Sequence, residues 1–181
     1  MIHLHVHTKY SLLDGMMHIE DIAERLKEIG QDTIAITEHG NLYSNVEAFS
    51  KLSKEGIKVI NGCEMYICDD VEVTNKDSKY HHLVLLCKNE QGRLNLNWLV
   101  SQSTLHKYYG RPRIDFKMLK EHHEGLICLS ACMAGEVSRA LMNGNEGIAE
   151  ATALRYKMLF GDDYYIEYQA HEVMEQQELN V

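Results

Sequence analysis

His5 and His7 are the first residues of this sequence whose types and spacing suit chemistry. They stand two apart in the opening run MIHLHVHTKYSLLDG. In an alternating β-like stretch that spacing puts both imidazoles on one face of a strand. A neutral imidazole nitrogen is the commonest protein ligand for a metal ion. The pair therefore opens a candidate metal cluster; the other reading is a polar-faced strand with incidental histidines. Two further residues have the right chemistry, His39 after the apolar run TIAIT and Glu64 within IKVINGCEMYI.

The elements that must position them are predicted from pattern. Residues 2–7 read as a strand followed by a loop to Met17. Ile19, Ile22, Ala23, Leu26 and Ile29 share one helical face, and Gly30 closes that helix. Residues 33–37 form a short β-branched run, predicted to be a buried strand. A second helix is predicted from about Ser44 to Glu55, with Val46, Phe49 and Leu52 facing inward. Strands follow at 57–67, 82–87, 126–130 and 164–168. Helices are predicted at 90–106, 116–122, 135–143, 146–159 and 172–181. The segment 108–115 holds the only proline and should be extended.

Strands that alternate with helices predict an α/β fold with a mostly parallel sheet or barrel. Ligands in such folds gather at the C-terminal ends of strands. His5 and His7, His39 and Glu64 fall at or near three successive strand ends by this reading, which favours the metal cluster.

Composition narrows the function classes. The 181 residues are 45% hydrophobic, enough for one domain with a proper core. With 27 acidic and 18 basic residues the net charge is -9, so the chain is a poor general binder of nucleic acid. Any role on DNA would be local or belong to another part of a larger protein. No run approaches a membrane helix, and the N-terminus does not read as a secretion signal. Five cysteines without a CxxC pair fit a reducing, cytoplasmic setting.

HLHVHTKYSLLDG followed by IAITEHGNL resembles the PHP (polymerase and histidinol phosphatase) domain. GIKVINGCEMYI, HHLVLLCKNEQG, YYGRPRIDFKMLKEHHEGLICLSACMAGEV and DDYYIEYQAH are similar to one branch of that family, the N-terminal domains of bacterial replicative DNA polymerase III α subunits. Stand-alone PHP phosphatases generally lack YYGRPRID. The resemblance spans essentially the whole chain. It implies a distorted βα barrel holding up to three divalent metals, usually zinc, manganese or iron.

Residue by residue, the resemblance implies metal ligands at His5, His7, Asp14, His39, Glu64, His82 and Cys132, with Glu64 as a bridging carboxylate. Metal-bound water would lie near Glu64 and His7. Asp14 also reads as a turn residue before Gly15. Glu38 stands where the family has Asp, and reads either as a partner holding an imidazole or as a solvated charge. Tyr10 and Ser11 are candidates to line the pocket. Arg111 and Arg113 read as phosphate holders or as loop packing. His82 falls at the start of its predicted strand, not the end. The thiolate of Cys132 favours a zinc-like ion over magnesium. His81 should point away from the site, and Cys128 should be core.

The family's final Asp-x-His motif has no match after residue 171, so the resemblance implies a piece of a larger polymerase chain cut before the last strand. The function expected from it is the metal-binding PHP domain of a DNA-directed DNA polymerase, with phosphoesterase or 3′–5′ exonuclease activity. The alternatives are a metal-stabilised docking module without catalysis, and a free-standing phosphatase of small phosphate esters. Expected partners are DNA through the parent polymerase, other polymerase domains and a proofreading subunit, with no membrane.

Overall fold

The computed structural model describes residues 2–12, 14–73, 79–105 and 111–180. Seven α-helices and six strands follow one another along these residues, alternating except where β3 follows β2 and α6 follows α5. In chain order they are α1 (Ile19–Glu28), β1 (Thr33–His39), α2 (Asn45–Leu52), β2 (Lys58–Cys68), β3 (His81–Cys87), α3 (Glu90–Leu105), β4 (Arg113–Asp115), α4 (Phe116–Glu121), β5 (Leu126–Leu129), α5 (Glu136–Met142), α6 (Glu146–Phe160), β6 (Tyr164–Tyr165) and α7 (Met174–Leu179). Among the described residues no helix is long and apolar enough to cross a membrane.

One six-stranded sheet joins the chain in the order β1-β2-β3-β5-β6, with β4 continuing the β1 edge of the long strand β2. β1, β2, β4, β5 and β6 run the same way, as the alternating pattern predicts. β3 runs against both of its neighbours. β3 can follow β2 without a helix between them, because antiparallel neighbours need no helical crossover. The reversal matters for function. It brings the beginning of β3 to the end of the sheet where the other strands finish.

Period-two alternation sorts the sheet residues onto two faces. Cys63, Met65, Leu83, Leu85 and Cys128 pack with Leu96, Leu99, Tyr156 and Phe160 beneath α3 and α6. The opposite face carries Ala35, Val84, Leu86 and Leu129. On that second face the register pairs His39 with Glu64 and Tyr66 with His82. The apolar face thus grades into a polar cluster at one end. A separate group, Ile19, Ile22, Leu26, Ile34, Ile36, Ala48 and Leu52, seals α1 and α2 against β1.

Four sequence expectations change. Residues 2–7 do not form a regular strand; they follow the β1 edge with one isolated bridge, His3 to Ile34. Ala35 N–H donates to the His3 carbonyl and Thr37 N–H to that of Val6, both at 2.9 Å. Three residues on one side thus span two on the other, and this extra residue breaks the ladder at His5. Glu64 lies inside β2, because β2 runs on past His39 to pair with β3 and β4. Val46 and Phe49 of α2 point outward, 83% and 61% exposed, while Ala48 and Leu52 are the buried pair. The last strand is only Tyr164–Tyr165. Beyond it the Ser130 hydroxyl, accepting from Glu167 N–H at 2.8 Å, stands in for a ladder carbonyl.

Candidate metal centre

Glu64 is the hub. Its side chain is 1% exposed, and four imidazoles from three segments surround it. His5 Nε2 lies 3.2 Å from Oε1, and His82 Nδ1 lies 2.8 Å from the same oxygen. Oε2 faces His39 Nδ1 in close contact and His7 Nε2 at 3.9 Å. The His7 and His39 rings stack with centroids 4.0 Å apart. Two groups of potential ligands result, His5–His7–Glu64 and His39–Glu64–His82, each with ligand atoms within 4.8 Å of one another. Glu64 belongs to both, and a carboxylate can give one oxygen to each of two cations.

The residues fit a divalent transition metal on two grounds. The first is orphaned polarity: His5 Nε2, His39 Nδ1 and Glu64 Oε2 are buried and make no hydrogen bond. His5 Nε2 lies within ion-pair range of Glu64 Oε1 and His39 Nδ1 of Glu64 Oε2, yet neither contact is a hydrogen bond. Buried polar atoms are rarely left so, and cations held by the two groups would satisfy all three. The second is donor chemistry, since imidazole, carboxylate and a nearby thiol form a set suited to zinc, iron or manganese.

The other expected ligands flank this hub. Cys132 Sγ is 3.7 Å from Glu64 Oε1 and 3.8 Å from His82 Nδ1, beside the second group. Ala131, with φ 63°, turns the chain there directly after β5. Asp14 is the outlier: it is exposed and meets His39 at Nε2, 2.7 Å away, on the far side of the ring from Glu64. In this geometry Asp14 orients His39. The reversal of β3 explains how His82 enters the site from the start of its strand.

Glu38 is not solvated. It is fully buried and accepts from Thr8 N–H at 3.1 Å, Thr8 Oγ1 at 2.5 Å and Ser11 Oγ at 2.5 Å. Ser11 in turn accepts from His39 N–H at 3.1 Å and sits 3.5 Å from His7 Nδ1. Glu38 thereby holds the loop after His7 against the end of β1. Tyr10 does not reach the cluster; its hydroxyl donates to Glu47 of α2 at 2.5 Å. Arg113 is buried and donates to the Val73 carbonyl at 3.1 Å. Arg111 lies over the Tyr66 ring, whose centroid is 5.1 Å from that of His82.

Two residues that pattern reading passes over complete the surroundings. Glu167 Oε1 lies 2.7 Å from His5 Nδ1, and Gln169 Nε2 donates to the same oxygen at 2.6 Å. The only signal was a carboxylate and an amide in the stretch YYIEYQ, within and just past the strand predicted at 164–168.

The imidazoles shape the protonation of the cluster. Burial alone would raise the Glu64 carboxyl, but His39, His5 and His82 hold it far below the usual carboxylate range. Burial would lower His5, but Glu167 and Glu64 outweigh it and lift it to about 10. Burial, with His39 and His5 as neighbours, depresses His7 to about 4. Burial and the Glu64 charge push the Cys132 thiol up to about 11.

These shifts predict a stability profile for the metal-free chain. His5, raised from 6.5 to about 10, stabilises the fold fully below pH 6.5, and that contribution is lost as pH climbs toward 10. His7, lowered to about 4, favours the fold above pH 6.5, and its contribution fades as pH falls toward 4. In chelator, melting temperature should peak near neutrality and decline on both sides. Zinc should flatten the alkaline limb, since the cation replaces the Nε2 proton of His5. A monotonic profile in chelator would contradict this.

A steric prediction concerns the loop that carries Asp14. A Cβ on Gly15 would sit 1.8 Å from the Thr8 carbonyl oxygen, a contact no side chain can relieve. Gly15→Ala should cost about 2 kcal/mol or more in urea unfolding, since overpacking of this kind moves backbone.

A family model described as PHP domain matches residues 3–171. The DNA polymerase III subunit alpha of Treponema pallidum is 40% identical over 98% of this chain and 16% of its own length. The subunit of the same description from Helicobacter pylori (strain ATCC 700392 / 26695) is 42% identical over 96% of the chain and 15% of its length. That of Aquifex aeolicus is 37% identical over 99% and 16%. The chain thus spans about one-sixth of the length of these relatives. A solved amidohydrolase from Chromobacterium violaceum aligns with 56% of the chain and 32% of its own, at TM-score 0.40 and 21% identity.

Proposed function

The chain belongs to the PHP domain family, and from that premise we propose that it is the metal-binding PHP module of a longer replicative DNA polymerase chain in the bacterial cytoplasm, acting on phosphoesters. One observation carries the reading: a single buried carboxylate, Glu64, is shared by two histidine groups of ligand geometry. His5, His7 and Glu64 would hold one cation, and His39, Glu64 and His82 a second, with Cys132 beside the latter. The soft donors favour a metal of the zinc class over magnesium. When bound, such ions supply Lewis acidity toward a phosphoryl oxygen and acidify water to about pKa 7.

The chain's own residues prepare this chemistry. His7 is already neutral at pH 7 and needs no deprotonation to act as a ligand. His5 and Cys132 must each release a proton. Metal uptake should therefore expel protons, which calorimetry in buffers of different ionisation enthalpy would read; uptake without proton release would contradict the assignment. The activity of the relatives as whole polymerases, with DNA as substrate, is proposed for the parent chain and not for this segment alone. The net charge of -9 agrees with DNA contacts being supplied elsewhere.

A second reading, a docking module held together by metal, is favoured by the outward Val46 and Phe49. They line a groove of about 390 Å³ with Leu42 and Leu96. In that reading the remainder of the polymerase chain, or a proofreading subunit, would cover them. Metal content measured together with degradation of a 3′-labelled single strand separates the two. Metal with metal-dependent cleavage supports the enzyme; metal without cleavage supports the docking module. No uptake of zinc, manganese or iron at neutral pH would contradict both.

A further inference from the structure

We propose that Glu167 is the positioning residue for His5, fixing its proton on Nδ1 so that Nε2 is presented bare to a cation shared with His7 and Glu64. This rests on the metal-centre reading above. The argument is one of donors and acceptors. Glu167 Oε1 and His5 Nδ1 are 2.7 Å apart, and both side chains are 9% exposed. An ionised carboxylate only accepts, so at that distance the proton must sit on Nδ1. Nε2 then faces Glu64 Oε1 at 3.2 Å and belongs to the His5–His7–Glu64 group.

Glu167 is itself held by two contacts, and the residue making one of them is anchored by a third. Its backbone N–H donates to Ser130 Oγ at 2.8 Å, at the end of β5 and two residues before Cys132. Gln169 Nε2 donates to the same carboxylate oxygen that takes the His5 proton. Asn180 Nδ2, just past α7, donates to the Gln169 carbonyl at 2.8 Å. The final segment of the chain thus reaches back 162 residues to set one ring of the opening motif. Gln169 also makes the arrangement switchable. Its amide lies 3.4 Å from His5 Nδ1. Without an acceptor at position 167, Gln169 can donate to Nδ1 and drive the proton to Nε2, where it blocks ligation. A carboxylate behind a metal-binding imidazole typically changes metal affinity by about 10–100-fold.

The test uses the zinc-loaded chain with 15N-labelled histidine, read by long-range 1H–15N correlation, and zinc affinity by chelator competition. Wild type should show His5 protonated at Nδ1 and zinc-shifted at Nε2. Glu167→Met, which removes the acceptor at similar volume, should bind zinc about 10–100-fold more weakly and show the Nε2–H tautomer in chelator. Glu167→Gln keeps an acceptor oxygen and should fall between the two. A wild-type His5 protonated at Nε2 in the loaded chain overturns the proposal, and needs no variant to fold. So does a Glu167→Met affinity within twofold of wild type, or a loss of affinity with the tautomer unchanged. A wild-type chain that takes up no zinc overturns the metal centre itself, and so is told apart from failure of the Glu167 inference.

Discussion

Replacing Glu64 with Gln is expected to abolish high-affinity metal binding at both groups at once. The amide offers one weak oxygen in place of two charged ones, and its NH₂ would face the imidazoles. The loss should exceed the ~10–100-fold that follows removal of an outer partner. By contrast His5→Ala should empty only the group it shares with His7, and His82→Ala only the group it shares with His39. Elemental analysis after equilibration with zinc reads the difference directly. Equal losses in all three variants would contradict a bridging role. Zinc present at a thousandfold its dissociation constant should stabilise wild type by about 4 kcal/mol, and this increment should vanish in Glu64→Gln.

The second large effect is expected at Glu38. Glu38→Ala leaves the Thr8 amide, the Thr8 hydroxyl and the Ser11 hydroxyl without their buried acceptor. Each stranded donor costs about 1–3 kcal/mol, so a total of about 3 kcal/mol or more should appear in urea unfolding of the chelated chain. Glu38→Gln keeps an acceptor but turns an NH₂ toward donors, and should recover only part of this. Because Ser11 touches both His7 and His39, metal affinity should fall as well. A loss below about 0.5 kcal/mol would mean that the loop is held by other contacts.

Parts of this arrangement were legible in the sequence because they depend on local pattern. The apolar run before His39 and the buried face of α1 follow from periodicity alone; His5 and His7 do meet at one site, but without the regular strand their spacing predicted. Strand direction does not. Nothing in HHLVLLC says that β3 runs backwards, so His82 stood at the wrong end of its strand until the sheet register was known. The environment of Glu38 was equally hidden. A buried and a solvated carboxylate look alike in sequence, and the loop donors that bury this one lie 27 and 30 residues away. Val46 and Phe49 misled in the other direction, since an apolar residue on a helix of 8 residues need not face the core. Glu167 was missed because its partner is at the opposite end of the chain.

The central claim is that one carboxylate joins two cations. Crystals of the zinc-loaded chain, recorded on either side of the zinc absorption edge, test it most directly. Two anomalous peaks are predicted, each about 2.0–2.2 Å from a Glu64 oxygen, one completed by His5 and His7 and the other by His39 and His82. Peaks that leave Glu64 uncoordinated, or zinc bound only at sites away from these imidazoles, would contradict the account.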